Sequence, residues 1–354
     1  MKRICPNPDC QSTHIIKKGY APKRMSDGYK AQKFLCKSCG KRFSSATSDP
    51  CFGQKKRHLN DQIDRLLASG MSRNNIARFL GIHRRTVQRR IEFLGKLCKS
   101  KNDKLLAEFP PVPEVQFDEM ETFEHTKMKP LSVALAVDRA TRVILGIEVS
   151  QIPANGPLAA KSVEKYGYRR DERRPAMCKM LAGLTPLLAD QVHFESDKAT
   201  WYPQALSAVF GSTERSLDTK DANLDTKDAN MDTKNHKSEL KKVIQYKHTT
   251  YKGRKSCITG QGELKKGKDD PLFALNHTAA MIRYNMSRMI RRTWCTTKKV
   301  EYLIHHLNIY AYHHNVNCIN EQKKKAKASE GQPQKEGRGG AEDHELKMSL
   351  ELIF

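Results

Sequence analysis

EVQFDEMETF, residues 114–123, is the stretch on which the reading of this chain turns. Its apolar residues alternate with polar ones, Val115 and Phe117 leading to Asp118, which predicts a strand. Two apolar, β-branched runs follow, LSVALAVDRA at 131–140 and RVILGIEVS at 142–150. They predict the next two strands of the same sheet. A helical segment is expected around 172–188. QVHFESD at 191–197 then reads as a fourth strand ending on Asp197, and its sequel, KATWYPQAL, turns into a helix. Two carboxylates at adjacent strand ends repel each other unless a cation lies between them. Mg2+ or Mn2+, which take hard oxygen ligands, would suit that place. A pair of such ions about 3.5–4 Å apart can activate an attacking oxygen and stabilise a leaving one. Taken alone, an Asp at a strand end is more commonly a turn residue.

Composition says what such a site would act on. The chain has 354 residues, with 64 Lys+Arg against 39 Asp+Glu and a net charge of +25. That excess suits a polyanionic partner, because each phosphate neutralised releases counterions. The length allows two or three domains with a real core. No apolar run approaches the ~20 residues that span a bilayer, so no membrane partner is expected. The opening MKRICPNPDC has no apolar stretch behind its basic residues and does not read as a secretory signal. The ten cysteines are therefore expected to be cytoplasmic thiols or metal ligands.

Working toward the N-terminus, a polar and Pro-rich link is expected at 99–114, and residues 56–98 read as helices. Leu59, Ile63, Leu66 and Leu67 recur at helical spacing, and Gly70 stops that helix. Ser72 can cap a second helix with Ile76, Ala77 and Leu80 inward, and Gly81 makes the turn. A third helix, HRRTVQRRIEFLGKL, puts Val87, Ile91 and Leu94 inward. It would present Arg84, Arg85, Gln88, Arg89 and Arg90 outward. This is a helix-turn-helix pattern, and Arg and Gln are the side chains that read base edges in the major groove. Residues 1–50 carry Cys5, Cys10, Cys36 and Cys39 at zinc-ribbon spacing. Two cysteine pairs supply the four soft donors that Zn2+ prefers, and a closed four-ligand site is structural. CKSCGKRF reads as a knuckle whose backbone N–H groups support the thiolates.

Beyond Asp197, the repeat LDTKDAN, LDTKDAN, MDTKN at 217–235 has one large apolar residue per unit and reads as an exposed insert. A strongly basic helix is expected near 276–292. Tyr302, Tyr310 and Tyr312 are expected to pack a closing helix, with His305, His306, His313 and His314 on its surface. The low-complexity stretch 322–342 is assigned no structure and lies within a charged tail, 316–354.

Taken together, CPNPDC…FLCKSCGKRF, the helix-turn-helix, FDEMETF, SDKATWY and LNHTAAMIRYNMSRMIRRTWCTTKK at 275–299 carry a resemblance. Over roughly residues 1–315 the chain resembles the DDE transposases of small bacterial insertion sequences. It is similar to the type with an N-terminal zinc ribbon and helix-turn-helix. The resemblance implies a multidomain α+β protein whose residues 115–315 form an RNase H-like α/β core, a mixed five-stranded sheet with helices on both faces. It implies Zn2+ as a structural ion, Mg2+ or Mn2+ at Asp118 and Asp197, and cleavage at transposon ends giving a 3′-hydroxyl that attacks target DNA. The usual third carboxylate is a Glu at the start of the last catalytic helix. The position that matches here is Asn276, and some relatives of this type carry Asn there. Asp270 or Glu263 are the alternatives, as is an inactive, zinc-dependent DNA-binding protein derived from a transposase. Arg283 lies seven residues on from Asn276, on the same helix face. Arg288, Arg291 and Arg292 would track DNA phosphates. Two DNA ends must meet, so a homodimer or larger assembly on double-stranded DNA is expected, in the nucleoid of a bacterial cytoplasm.

Overall fold

The structure, a computed structural model, describes residues 3–47, 49–211, 244–252, 270–290 and 295–330. The chain is mixed α/β. Its first fifty residues form a small antiparallel sheet of β1 (Ile15–Tyr20), β2 (Gln32–Cys36) and β3 (Arg42–Ser44). Phe43 lies against Phe34, with ring centroids 5.4 Å apart.

Three helices follow: α1 (Asn60–Ala68), α2 (Arg73–Phe79) and α3 (Arg84–Ala107). Ser72 caps α2 as expected, its Oγ accepting from the Asn75 N–H at 3.3 Å. Gly81 makes the turn with φ +59°, where a Cβ would be strained. Ile63, Leu67, Ile76, Val87, Ile91 and Leu94 close the core of this bundle.

The expected link at 99–114 is not a link. Helix α3 continues to Ala107, and β4 begins at Val112. The local chemistry accounts for this. KSKNDKLLAE contains no Pro or Gly, Lys99 pairs with Asp103 at i,i+4, and Leu106 is buried against the sheet. Pro110 and Pro111 then stop the helix.

The large sheet has strand order β6-β5-β4-β7-β8. Strands β4 (Val112–Phe123), β5 (Pro130–Asp138) and β6 (Ile144–Gln151) are antiparallel neighbours. On the other side of β4, β7 (Leu188–Asp197) and then β8 (Gln245–Tyr251) run parallel to it. Helix α4 (Ala159–Tyr166) leads from β6 toward α5 (Arg173–Leu184), and α6 (Tyr202–Phe210) follows β7. Alternation sorts the side chains. Val115, Phe117, Val192 and Phe194 meet α5 and α6 on one face. Met120, Leu131, Val133 and Leu135 meet α7 (Phe273–Asn285) and α8 (Val300–Glu330) on the other. Fully buried phenylalanines such as Phe117 and Phe194 contribute about 1.5–3 kcal/mol each. The strand β8, QYKHTTY, has no apolar run to announce it.

The basic helix expected over 276–292 ends at Asn285, where Met286 turns extended (φ −129°, ψ 103°). Helix α8 runs on to Glu330, so the low-complexity stretch and the tail are helical at their start. The repeat at 217–235 and residues 331–354 lie outside the described residues.

Helix α8 also corrects the expectation of a histidine-bearing surface. It lies between the helical bundle and the sheet, so few of its faces remain open. His306 is buried, and its Nε2–H donates to the Leu67 carbonyl at 3.0 Å. Burial, with the nearby Arg288 charge, holds its pKa down to about 3, so it packs as a neutral ring. His313 Nε2 lies 3.0 Å from Asp64 Oδ2 of α1, and Asn315 bonds both the N–H and the C=O of Ile144 at the start of β6. Tyr310 is buried as expected, while Tyr302 and Tyr312 are half-buried against the bundle. Among the described residues, no helix is long and apolar enough to cross a membrane.

The tight crossing of α3 and α8 is testable. A Cβ on Gly95 would fall 2.5 Å from His305 Cβ and 2.8 Å from its carbonyl oxygen. Gly95→Ala should destabilise the chain by about 1–3 kcal/mol, because two backbones must part. Gly183, in α5, has nothing within 4 Å of such a Cβ. Gly183→Ala should stabilise by about 0.5–1 kcal/mol. Urea unfolding of both variants gives the signs, and equal effects would contradict the close crossing.

Candidate metal centres

The four N-terminal cysteines converge. Cys5 and Cys10 flank a turn in which the Cys10 N–H bonds the Asn7 carbonyl at 3.1 Å, and Cys36 ends β2. Cys5 Sγ lies 3.6 Å from Cys39 Sγ, and Cys10 Sγ lies 3.8 Å from Cys36 Sγ. All four sulfurs fall within 4.8 Å of one another. A disulfide needs about 2.05 Å. A tetrahedron with ~2.3 Å metal–sulfur bonds needs sulfurs about 3.8 Å apart. The cluster therefore has the dimensions to hold a metal ion such as zinc. The knuckle is as expected: the Cys39 N–H and then the Ser38 N–H, against the effect of burial, lower the Cys36 thiol pKa to about 6. His14 is exposed and outside the cluster.

The carboxylate pair depends on register. Strands β4 and β7 are parallel, with Gln116 opposite Glu195. The pairing ends there; Asp118 lies two residues beyond Gln116 and Asp197 two beyond Glu195, near enough for the Asp197 charge to act on Asp118. Asp118 Oδ1 accepts from the Tyr202 hydroxyl at 2.9 Å, and Asp197 Oδ1 accepts from the Ala199 N–H at 3.0 Å. Burial first, and then the Asp197 charge, raise the Asp118 pKa to about 6, against smaller opposing effects that include Arg283. Tyr202 is itself buried under Phe117, with centroids 5.0 Å apart, and burial followed by Asp118 pushes its pKa far upward. The structure thus brings Asp118 and Asp197 together, with the Arg283 charge within reach of Asp118. Two crowded carboxylates in a half-buried place form a site that a cation would relieve.

Asn276 is held differently. It is exposed near the start of α7, and its Nδ2 donates to Asp270 Oδ2 at 2.9 Å. Asp270 Oδ1 in turn accepts from the Leu272 N–H at 3.1 Å. Two candidate third ligands therefore sit side by side, bonded to each other rather than to the aspartate pair. Glu263 lies outside the described residues.

Sequence reasoning missed Gln116. Alternation makes it look like an outward polar residue of a half-exposed strand. It is buried, and its Nε2 donates to Glu195 Oε2 and to the Pro271 carbonyl, both at 2.7 Å. Its Oε1 accepts from the Leu275 N–H at 3.1 Å. One amide therefore ties α7 to the two strands that carry the acids. Tyr202 was also missed, since an aromatic inside KATWYPQAL reads as helix packing.

The expected DNA-reading set divides. Arg84, Arg85 and Arg89 are exposed on α3. Gln88 is half-buried and accepts from Arg73 Nη1 at 3.2 Å. Arg90 is a correction: it is buried, with its pKa lowered by burial. Its position between Val87 and Leu94 puts it in the inward i, i+3, i+7 stripe, so it cannot present its charge to a groove. Arg288 is half-buried as well, and Arg291 and Arg292 lie outside the described residues.

No family model matches the chain, and no curated protein matches it.

Two measurements follow from these centres. Cys36→Ser should leave much less zinc bound per chain, and an unchanged zinc content would contradict the ligand set. Because the folded-state pKa of Asp118 is raised, the folded chain holds that proton more tightly than the unfolded one. Stability from this group is present below pH ~4 and is lost as pH rises through about 6. With zinc retained and no other divalent ion, Asp118→Asn should be more stable than wild type at pH 7, by up to about 3 kcal/mol. The gap should close toward pH 4. Thermal unfolding that finds the variant weaker at pH 7 would reverse the assignment of Asp118 as a strained carboxylate.

Proposed function

We propose that this chain is a DNA transposase of the DDE type, acting as a polynucleotidyl transferase at the ends of an insertion sequence. The observation that carries the reading is the meeting of Asp118 and Asp197 on parallel neighbouring strands, with the Asp118 pKa raised by burial and by its partner. The five-stranded mixed sheet with helices on both faces supports an RNase H-like reading of that core. The four-cysteine cluster and the net charge of +25 support zinc-dependent DNA binding.

In this reading Asp118 and Asp197 hold Mg2+ or Mn2+, with Asn276 or its neighbour Asp270 as the third ligand. Bound metal would activate the attacking oxygen and stabilise the leaving one. Tyr202 keeps Asp118 oriented through its hydroxyl hydrogen bond, and Arg283 offsets negative charge beside it. The amide of Gln116 holds α7 over the strand ends, so the third ligand comes from a fixed helix. Arg84, Arg85 and Arg89 face the terminal inverted repeats, and the same site serves water in cleavage and a 3′-hydroxyl in strand transfer. Two DNA ends must be held, so a homodimer or larger assembly forms on DNA.

One observation favours a second reading, a catalytically inactive DNA-binding protein derived from a transposase. The third-ligand position carries an amide, and that amide is bonded to Asp270. Metal-dependent nicking of a duplex carrying the element's end separates the two readings. Under the transposase reading, Asp118→Ala and Asp197→Ala each reduce nicking by at least about 100-fold while DNA binding persists. Nicking at the wild-type rate in either variant would remove that residue from the site.

A further inference from the structure

Between the helical bundle and the sheet domain lies a cavity of about 260 Å3. Its walls come from the start of α2, from α3 at Gln88 and from the segment after α7. Four cationic side chains line it: Arg73 from the bundle, and Arg288, Lys298 and Lys299 from the other side. Among the described residues no carboxylate lines it, and none of the four is joined to one by a salt bridge. Arg57, by contrast, is half-buried and paired with both Asp27 and Asp49. Burial first, and then the Arg73 charge, lower the Arg288 pKa to about 10. Arg73 is oriented by its hydrogen bond to Gln88, and the hydroxyls of Ser287 and Thr296 add neutral donors. Lys298 and Lys299 are exposed, so the cavity meets solvent on their side.

Crowded cations without counter-charge, together with hydroxyl donors, suit a tetrahedral oxyanion, whose several oxygens accept from arginine and lysine together. We propose that this cavity binds a phosphate group, and that the group is a backbone phosphate of DNA held at once by the bundle and by the core. The choice of DNA as its source rests on the function proposed above; the anion site itself does not. Such a contact sets the register between the duplex read by α3 and the strand presented to Asp118 and Asp197. It uses Arg288 from inside the molecule, not along an exposed helix face.

The test uses the full chain with zinc bound. Inorganic phosphate, compared with chloride at equal ionic strength, should raise the melting temperature of the wild type by several degrees. Arg73→Gln and Lys299→Gln should each shrink that rise, and the double variant should abolish it. Lys298→Gln, at an exposed position, provides a variant least able to disturb folding. In the second arm, binding of a DNA duplex is followed against salt concentration. The double variant should flatten the slope of log affinity against log salt by about 2, one for each phosphate-facing cation lost. An equal phosphate effect in wild type and the double variant overturns the site. A phosphate effect lost without any change in the salt slope overturns DNA as the source and leaves a free phosphate ligand. Failure of the wild type to bind DNA at all would end the functional proposal, whereas a phosphate effect lost in the double variant would still uphold the anion site.

Discussion

The buried side-chain amide of Gln116 is the interaction on which the candidate carboxylate site depends. It bridges β4, β7 and the entry to α7 through three hydrogen bonds of 2.7–3.1 Å. An amide can donate and accept at once, which no carboxylate or apolar residue of similar size does. Glu195, which it contacts, is buried yet supplied with donors from Gln116 and from the Tyr251 hydroxyl at 3.0 Å. Loss of the bridge would leave buried polar atoms unpaired, at about 1–3 kcal/mol each. Fixing Gln116 against Glu195 also limits how far Asp118, two residues on, can move from Asp197.

The second constraint is mechanical. Helix α3 begins in the helical bundle and ends against the sheet, and α8 packs on both. Contacts such as His306 with Leu67, His313 with Asp64 and Asn315 with Ile144 join elements that lie far apart in sequence. Cys98 belongs to the same junction, its thiol pointing at Asp64 and pushed up to about 12 by burial. The bundle is thus fused to the core rather than tethered by a link. Any partner held by α3 has a set distance and angle to the aspartate pair.

Charge is distributed with the same economy. The exposed arginines of α3 face solvent, while Arg90 and Arg288 are drawn inward and have lowered pKa values. On the opposite sign, Asp118 is held above the ordinary carboxylate range. Buried charge without a neutralising partner is costly. At the strand ends and in the cavity at Arg288, an outside cation or anion would offset such charge.

Local rules made much of this legible in the sequence. Alternation located β4, apolar β-branched runs located β5 and β6, QVHFESD read as β7, Ser72 and Gly81 marked the turn of the helical bundle, and cysteine spacing anticipated a cluster that the sulfur distances bear out. These features depend on residues close along the chain, or on one coordination geometry. What the sequence did not settle depends on neighbours brought from far away. Gln116 and Glu195 are 79 residues apart, and only the parallel pairing of β4 and β7 makes them partners. The polar strand β8 is paired by β7 rather than by its own pattern, and Asn276 turned out to be bonded to Asp270. Arg90 and His306 look like surface residues until α3 and α8 are packed, because burial belongs to the assembled tertiary structure and not to the residue.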